Sequence, residues 1–252
     1  MLGVVLGTQL VGMLLALGLA LARGEPFPHG ADLAWSVVAG VAGVVGITSL
    51  YRGLAVGRMG VVAPTTGVMA AVIPVVAGFA LEGVPQPAVI VGIVTALVAV
   101  VLVTRAPAHD DGRPSGLQWA LLSGLMLGAF NVCIGQLSGE SAFAPLVVIR
   151  LVQAISLAAF VLLTRQPWRV GRDVLPMLLV VGALDMTGNA AFILATQSGQ
   201  LAIAAVLSSL YPVTTVILAI AIHRERLTRS HIAGIVLTAV AIALIGLGTA
   251  TL

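Results

Sequence analysis

FAPLVVIRLVQAISLAAFVLLTR, residues 143–165, falls on MLGVVLGTQLVGMLLALGLALAR, residues 1–23, when the chain is shifted by 142 positions. Both runs are apolar and end on an Arg, Arg165 and Arg23. A helix rises about 1.5 Å per residue, so about 20 apolar residues cross the hydrocarbon core of a bilayer. Alone, the opening run with Ala20-Leu21-Ala22 before Arg23 is close to a cleaved secretory signal. It has no basic segment in front, however, and its counterpart is internal, where helices are not cleaved. It reads as a membrane helix.

The superposition continues without a gap. Gly40 falls on Gly182, Gly46 on Gly188 and Gly57 on Gly199, and Gly92–Val94 falls on Gly234–Val236. Val98, Ala99 and Leu102 fall on Val240, Ala241 and Leu244. Chance likeness between apolar segments does not keep glycines and gaps in step this far. Nine apolar runs result, at about 2–22, 33–55, 60–81, 87–104, 117–137, 143–163, 173–195, 200–222 and 231–249. They are too long and too apolar all round for barrel strands. The expected fold is therefore an all-α membrane protein of nine transmembrane helices. A first repeat of four helices spans 1–104, a linker 105–116, and a second repeat of five helices 117–252. The 117–137 helix has no partner, because its equivalent would precede Met1. An odd number of helices per unit inverts the second unit relative to the first, an arrangement common in secondary transporters.

Composition agrees. Of 252 residues, 60% are hydrophobic and 8% charged, against about 25% charged in soluble domains. All twelve basic residues are Arg. Apart from Arg150 they lie in or beside short gaps, as membrane anchors do, and form no basic face with interleaved aromatics, so nucleic acid is not an expected partner. A single cysteine, Cys133, excludes an intrachain disulfide and a cysteine zinc site. Gaps on one side of the membrane carry Arg58, Arg105, Arg113, Arg165, Arg169, Arg172, Arg224, Arg226 and Arg229, with Arg52 close by. The other side carries Arg23 with Glu25, Asp32, Glu82 and Glu140. The positive-inside rule makes the Arg-rich side cytoplasmic, with Met1 inside and Leu252 outside, in a cell membrane crossed many times.

The stretch AAVLSSLYPVTTVILAIAIHRERLTRSHIAGIVLTAVAIALIGLG, residues 204–248, resembles the closing segment of EamA-type transporters of the drug/metabolite transporter superfamily. The likeness lies in the small-residue run, Tyr211-Pro212, and Glu225-Arg226-Leu227 before the last helix. YRGLAVGRMGVVAP, residues 51–64, is similar to the matching part of the first repeat. The resemblance implies two five-helix repeats, ten helices, and movement of small organic solutes, often as export. This chain departs from it by lacking the first helix, which makes a start further upstream the expectation. Glu82-Gly83-Val84 also replaces the Glu-Arg-Leu segment in the first repeat, and Pro74 does not superpose on Pro212. The resemblance implies both termini cytoplasmic; the charge count, preferred for this sequence, does not.

An ionisable group mid-membrane costs about 2.5–3.5 kcal/mol on insertion scales, so it usually has a purpose. Asp185 and Arg150 qualify. Both distances from the Arg-poor ends of their helices, about ten and seven residues, suggest similar depth. They form a structural ion pair, or they serve a substrate or a proton; both readings stand. Asn189 is four residues after Asp185 and Gln153 three after Arg150, each on the same helical face as its partner. Asn131, Ser208 and Tyr211 complete the candidate substrate-binding or coupling set. Pro212 leaves a carbonyl without its helical donor. Taken singly, Asn131, Gln153 and Ser208 are better explained as hydrogen bonds between helices. In the first repeat the equivalents of Asp185, Asn189, Gln153 and Tyr211 are Gly43, Ile47, Val11 and Met69, and Arg150 becomes Thr8. The expected cavity is polar on the second-repeat wall and apolar on the first.

Together these readings predict a secondary transporter, an exporter, of an amino acid, metabolite or drug-like compound, with proton coupling through Asp185 as an option. One carboxylate and one guanidinium suit a zwitterion. No cofactor, metal site or catalytic residue is expected. An intramembrane enzyme is disfavoured, since Asp185 is the one acid in a helix core and there is no HExxH. A scaffold without transport is the remaining alternative.

Overall fold

The computed structural model describes residues 2–104, 115–139, 141–164, 171, 174–210 and 229–249. Among them the chain is helical throughout, without strands. The helices are α1 (Leu2–Arg23), α2 (Gly30–Val56), α3 (Met59–Glu82), α4 (Pro87–Thr104), α5 (Leu117–Gly135), α6 (Phe143–Thr164), α7 (Leu175–Ser198), α8 (Leu201–Ser209) and α9 (Arg229–Thr249). Six are long and apolar enough to cross a membrane, and Pro87–Leu102 and Ile232–Gly248 are shorter apolar helices. Helix α8 ends at Ser209 and Leu210 follows as a turn; Tyr211, Pro212 and Glu225-Arg226-Leu227 lie outside the described residues. The Arg-rich gaps at 105–114, 165–170 and 223–228 also lie outside the described residues.

Helix is the form that satisfies every backbone group within one segment where no water is available. That requirement overrides propensity in α4, whose many Val and Ile residues are mediocre helix formers in water. Pro87 opens α4, where its missing N–H costs nothing. Arg23 is the last residue of α1, and a Schellman turn follows. Gly24 takes φ 64°, its N–H bonds Leu21 O at 3.1 Å, and Glu25 N–H bonds Ala20 O at 2.9 Å. This turn aims Glu25 back along the bundle end.

The described residues divide into two compact units, each drawn from both halves of the chain. The first holds Met1–Val45 and Cys133–Ser198, and within it α1 packs on α6 and on α7. Ala16, Ala20, Leu146, Ile149, Leu157 and Ile193 lie in its buried interior. The second holds Gly46–Val132 and Gly199–Leu252, where α4 packs on α9 and α3 on α8 around Val75, Val89, Ile93, Val100, Val206 and Ile245. Large apolar side chains also point outward: Leu14, Leu21, Leu162, Leu163, Leu184 and Leu247 are all exposed. Water would penalise such a surface and lipid does not.

Candidate functional site

The N-terminus of α6 is the anchor of the first unit. A helix start leaves four backbone donors without partners. Here Phe143 N–H and Ala144 N–H both donate to Glu25 Oε2, each at 2.8 Å, and Pro145 has no donor to satisfy. The Arg23 guanidinium lies 5.2 Å from the centroid of the Phe143 ring. The neighbouring ends join the same network. Asp32, in the first turn of α2, accepts Ser138 N–H at 3.0 Å through Oδ1 and the Ser138 hydroxyl through Oδ2. Gln197, near the end of α7, donates to Ser138 O at 2.8 Å and Ser141 O at 3.2 Å. In the second unit Glu82 accepts Leu201 N–H at the start of α8, at 3.0 and 3.1 Å.

With that end fixed, Arg150 sits seven residues into α6 and is 3% exposed. Its Nη2 lies 2.6 Å from Asp185 Oδ2 on α7, and its Nη1 donates to Gln9 Oε1 on α1. The side chain runs past Gly12. Close approach of α1 and α7 makes the three-way contact possible. A Cβ at Gly182 would meet Val11 Cβ at 2.9 Å and Thr8 O at 3.1 Å. Along α7 the buried stripe Leu178, Gly182, Met186, Ala190 recurs every four residues. Asp185 flanks that stripe, with its side chain 48% exposed. Asn189 Nδ2 donates to Asp185 O at 2.8 Å and stands 3.5 Å from Asp185 Oδ1. Gln153, one turn beyond Arg150, is buried. Among the described residues, Gln153 Oε1 and Arg150 Nε are buried without hydrogen-bond partners.

Arg150, Asp185 and Asn189 are thus brought together, and Gln153 adjoins them along α6. Asn131, half-buried, and Ser208, exposed, belong to the second unit, and Tyr211 lies outside the described residues. The charged groups of Arg150 and Asp185 meet at 2.6 Å. One expectation needs correction: the first half of the chain is not purely apolar here, because Gln9 holds the guanidinium. Gln9 was legible only as a lone amide in an apolar run. The repeat drew attention to Thr8 instead, whose hydroxyl is used locally on Val5 O at 2.8 Å.

A chain whose described residues are helical, with several membrane-length helices, a lipid-suited surface and a buried arginine paired inside an apolar bundle, is a multi-pass membrane protein. The model of the EamA-like transporter family matches residues 114–247, and the chain belongs to that family. A solved structure described as "Crystal structure of protein" shares the fold, with a TM-score of 0.74 and 18% identity over 98% of this chain and 88% of that one. No curated protein matches the sequence.

Proposed function

We propose that the chain is a secondary transporter that exports a small organic solute, an amino acid, metabolite or drug-like compound, by alternating access. Its Arg-rich loops face the cytoplasm across the cell membrane, and its polar centre is Arg150, Asp185, Asn189 and Gln153, joined by Gln9. The observation that carries this reading is Arg150, buried in an apolar bundle yet shared between two helices and left with an unused donor. Charges in such positions are costly and are retained where they do work.

Helix pairing supports inverted repeats. The pairs α1–α6, α3–α8 and α4–α9 correspond at the 142-residue shift, and each pair packs together. Glu25 beyond the end of α1 meets the start of α6, Glu82 ending α3 meets the start of α8, and Gly248 near the end of α9 approaches Val89 near the start of α4. Equivalent helices therefore run antiparallel, as units of opposite orientation require. A proton coupling role for Asp185 fits its half-exposed carboxylate beside a buried cation.

The test is a thermal-stability screen of the purified protein against metabolites, followed by counterflow in proteoliposomes. A solute that stabilises the protein and exchanges, with exchange lost in Arg150→Gln, supports the reading. Absence of exchange for every solute, in liposomes containing folded protein, overturns it.

A further inference from the structure

We infer that the Arg150 site takes a small 2-hydroxy carboxylate, which displaces Asp185 from Arg150 and is bound together with a proton on Asp185. The inference rests on the transporter reading and narrows its substrate. Two buried atoms carry it. Arg150 Nε is a donor without an acceptor, and Gln153 Oε1 is an acceptor without a donor, one helical turn apart. Residues three apart on a helix lie on one face, about 5–6 Å between Cβ atoms. A ligand that fills both vacancies presents an anionic acceptor and a neighbouring O–H or N–H.

The guanidinium selects the acceptor. Nε and Nη2 share one edge of the planar group, the edge that carboxylates grip with two parallel hydrogen bonds. Asp185 meets the guanidinium through Nη2, at 2.6 Å, and leaves Nε open. An incoming carboxylate that engages both Nε and Nη2 brings a second anion onto the nitrogen that Asp185 holds, and the repulsion between the two carboxylates drives Asp185 off. Gln9 keeps Nη1 and steadies the guanidinium during the exchange.

The donor follows from what is free. An ammonium would be drawn to the ionised Asp185 carboxylate once it leaves Arg150, not to Gln153, and would need no linked proton, so alanine, unlike lactate, would bind without pH dependence. The vacant acceptor is a neutral amide oxygen, which suits a hydroxyl. Charge balance then sets the proton. Arg150 with Asp185 is neutral; Arg150 with a ligand carboxylate is neutral when Asp185 is protonated. Among the described residues, α1 offers Gln9 to the pair, α6 offers Arg150 and Gln153, and α7 has Asp185 as its sole ionisable residue.

The experiment is calorimetric binding of lactate, propionate, alanine and propylamine to the purified full chain between pH 5.5 and 8. Wild type and the variants Asp185→Asn and Gln153→Leu are compared. Lactate binds most tightly, and its affinity rises as pH falls, by up to about tenfold per pH unit for one linked proton. Asp185→Asn binds lactate more tightly than wild type at pH 8 and with a flat pH profile. Gln153→Leu lowers lactate affinity to that of propionate and leaves propionate unchanged. A pH-independent lactate affinity in wild type overturns the inference, and this measurement needs no variant to fold. Tighter binding of alanine or propylamine than of lactate also overturns it. Counterflow of a solute without a carboxylate would sink the 2-hydroxy acid and leave the transporter standing, whereas no counterflow of any solute removes both.

Discussion

Arg150 Nη2 lies 2.6 Å from Asp185 Oδ2, yet the arginine is buried and the aspartate side chain is 48% exposed. The pair is therefore asymmetric. Arg150 has nowhere to find a replacement for Asp185, while Asp185 can reach other partners. Removing one member of a buried pair strands the other, at about 3–5 kcal/mol where both are enclosed. The exposure of Asp185 reduces the loss, and Asp185→Asn is expected to destabilise by about 1–3 kcal/mol, since the amide still offers an oxygen. Arg150→Met paired with Asp185→Asn is expected to be more stable than Asp185→Asn alone. Unfolding of the single and double variants in detergent gives the coupling. Equal stability of Asp185→Asn and wild type would show that Asp185 contributes nothing to holding Arg150.

Gln9→Leu removes the acceptor for Arg150 Nη1 at a buried site. Hydrogen bonds to charged groups are worth about 1.5–3 kcal/mol, and a stranded charged donor belongs at the upper part of that range. Gln9→Glu is expected to do the reverse to the charge balance, placing a second carboxylate on Arg150 and loosening its hold on Asp185. Thermal unfolding separates the two variants. An unchanged midpoint for Gln9→Leu would show that the contact is incidental.

The helices and the ion pair were legible in the sequence, and Gln9 was not, for a physical reason. Apolar runs announce membrane helices by length and composition, and the described helix bounds lie within three residues of those runs except at α8, which ends at Ser209 where the run reads on to 222. Arg150 and Asp185 stood out because charge in such runs is rare. A lone glutamine does not stand out, since any helix can use one to bond a neighbour. Which neighbour depends on rotation and close approach, and these are set by contacts such as Gly182 against Val11. The carboxylates Glu25, Asp32 and Glu82 were read from their charge sign alone. Their work as acceptors for backbone N–H groups emerges only when chain ends meet in space.

Gly182→Ala tests that close approach. The added Cβ would stand 2.9 Å from Val11 Cβ, with the Thr8 carbonyl at 3.1 Å. No flexible side-chain end is there to yield, so α1 and α7 must separate. Overpacking of this kind costs about 1–3 kcal/mol. Separation also stretches the bridge from Gln9 through Arg150 to Asp185. Val11→Gly in the same chain relieves the Cβ contact, and partial recovery of the unfolding midpoint is the expected outcome. Full tolerance of Gly182→Ala would mean that the helices are held apart from the start.

Glu25→Gln probes the knot at the other end of the bridge. The carboxylate accepts two backbone donors at 2.8 Å from the first turn of α6. It also places negative charge at the positive end of that helix dipole, a favourable arrangement worth about 0.3–1 kcal/mol when exposed and up to about 2 kcal/mol when partly buried. Glutamine keeps an acceptor oxygen and loses the charge, so it is expected to cost about half of what Glu25→Ala does. Replacing a capping acceptor by alanine costs about 0.5–2 kcal/mol. Gly24→Ala strikes the same cap from the backbone side, because its φ of 64° is a left-handed value that alanine resists. Hydrogen exchange at Phe143 and Ala144 reads the effect locally. Exchange is expected to quicken in the order Glu25→Gln, then Glu25→Ala, with Gly24→Ala also raised. Since α6 carries Arg150 only two turns further on, the same loosening is expected to reach Leu146 and Val147 before it reaches the ion pair.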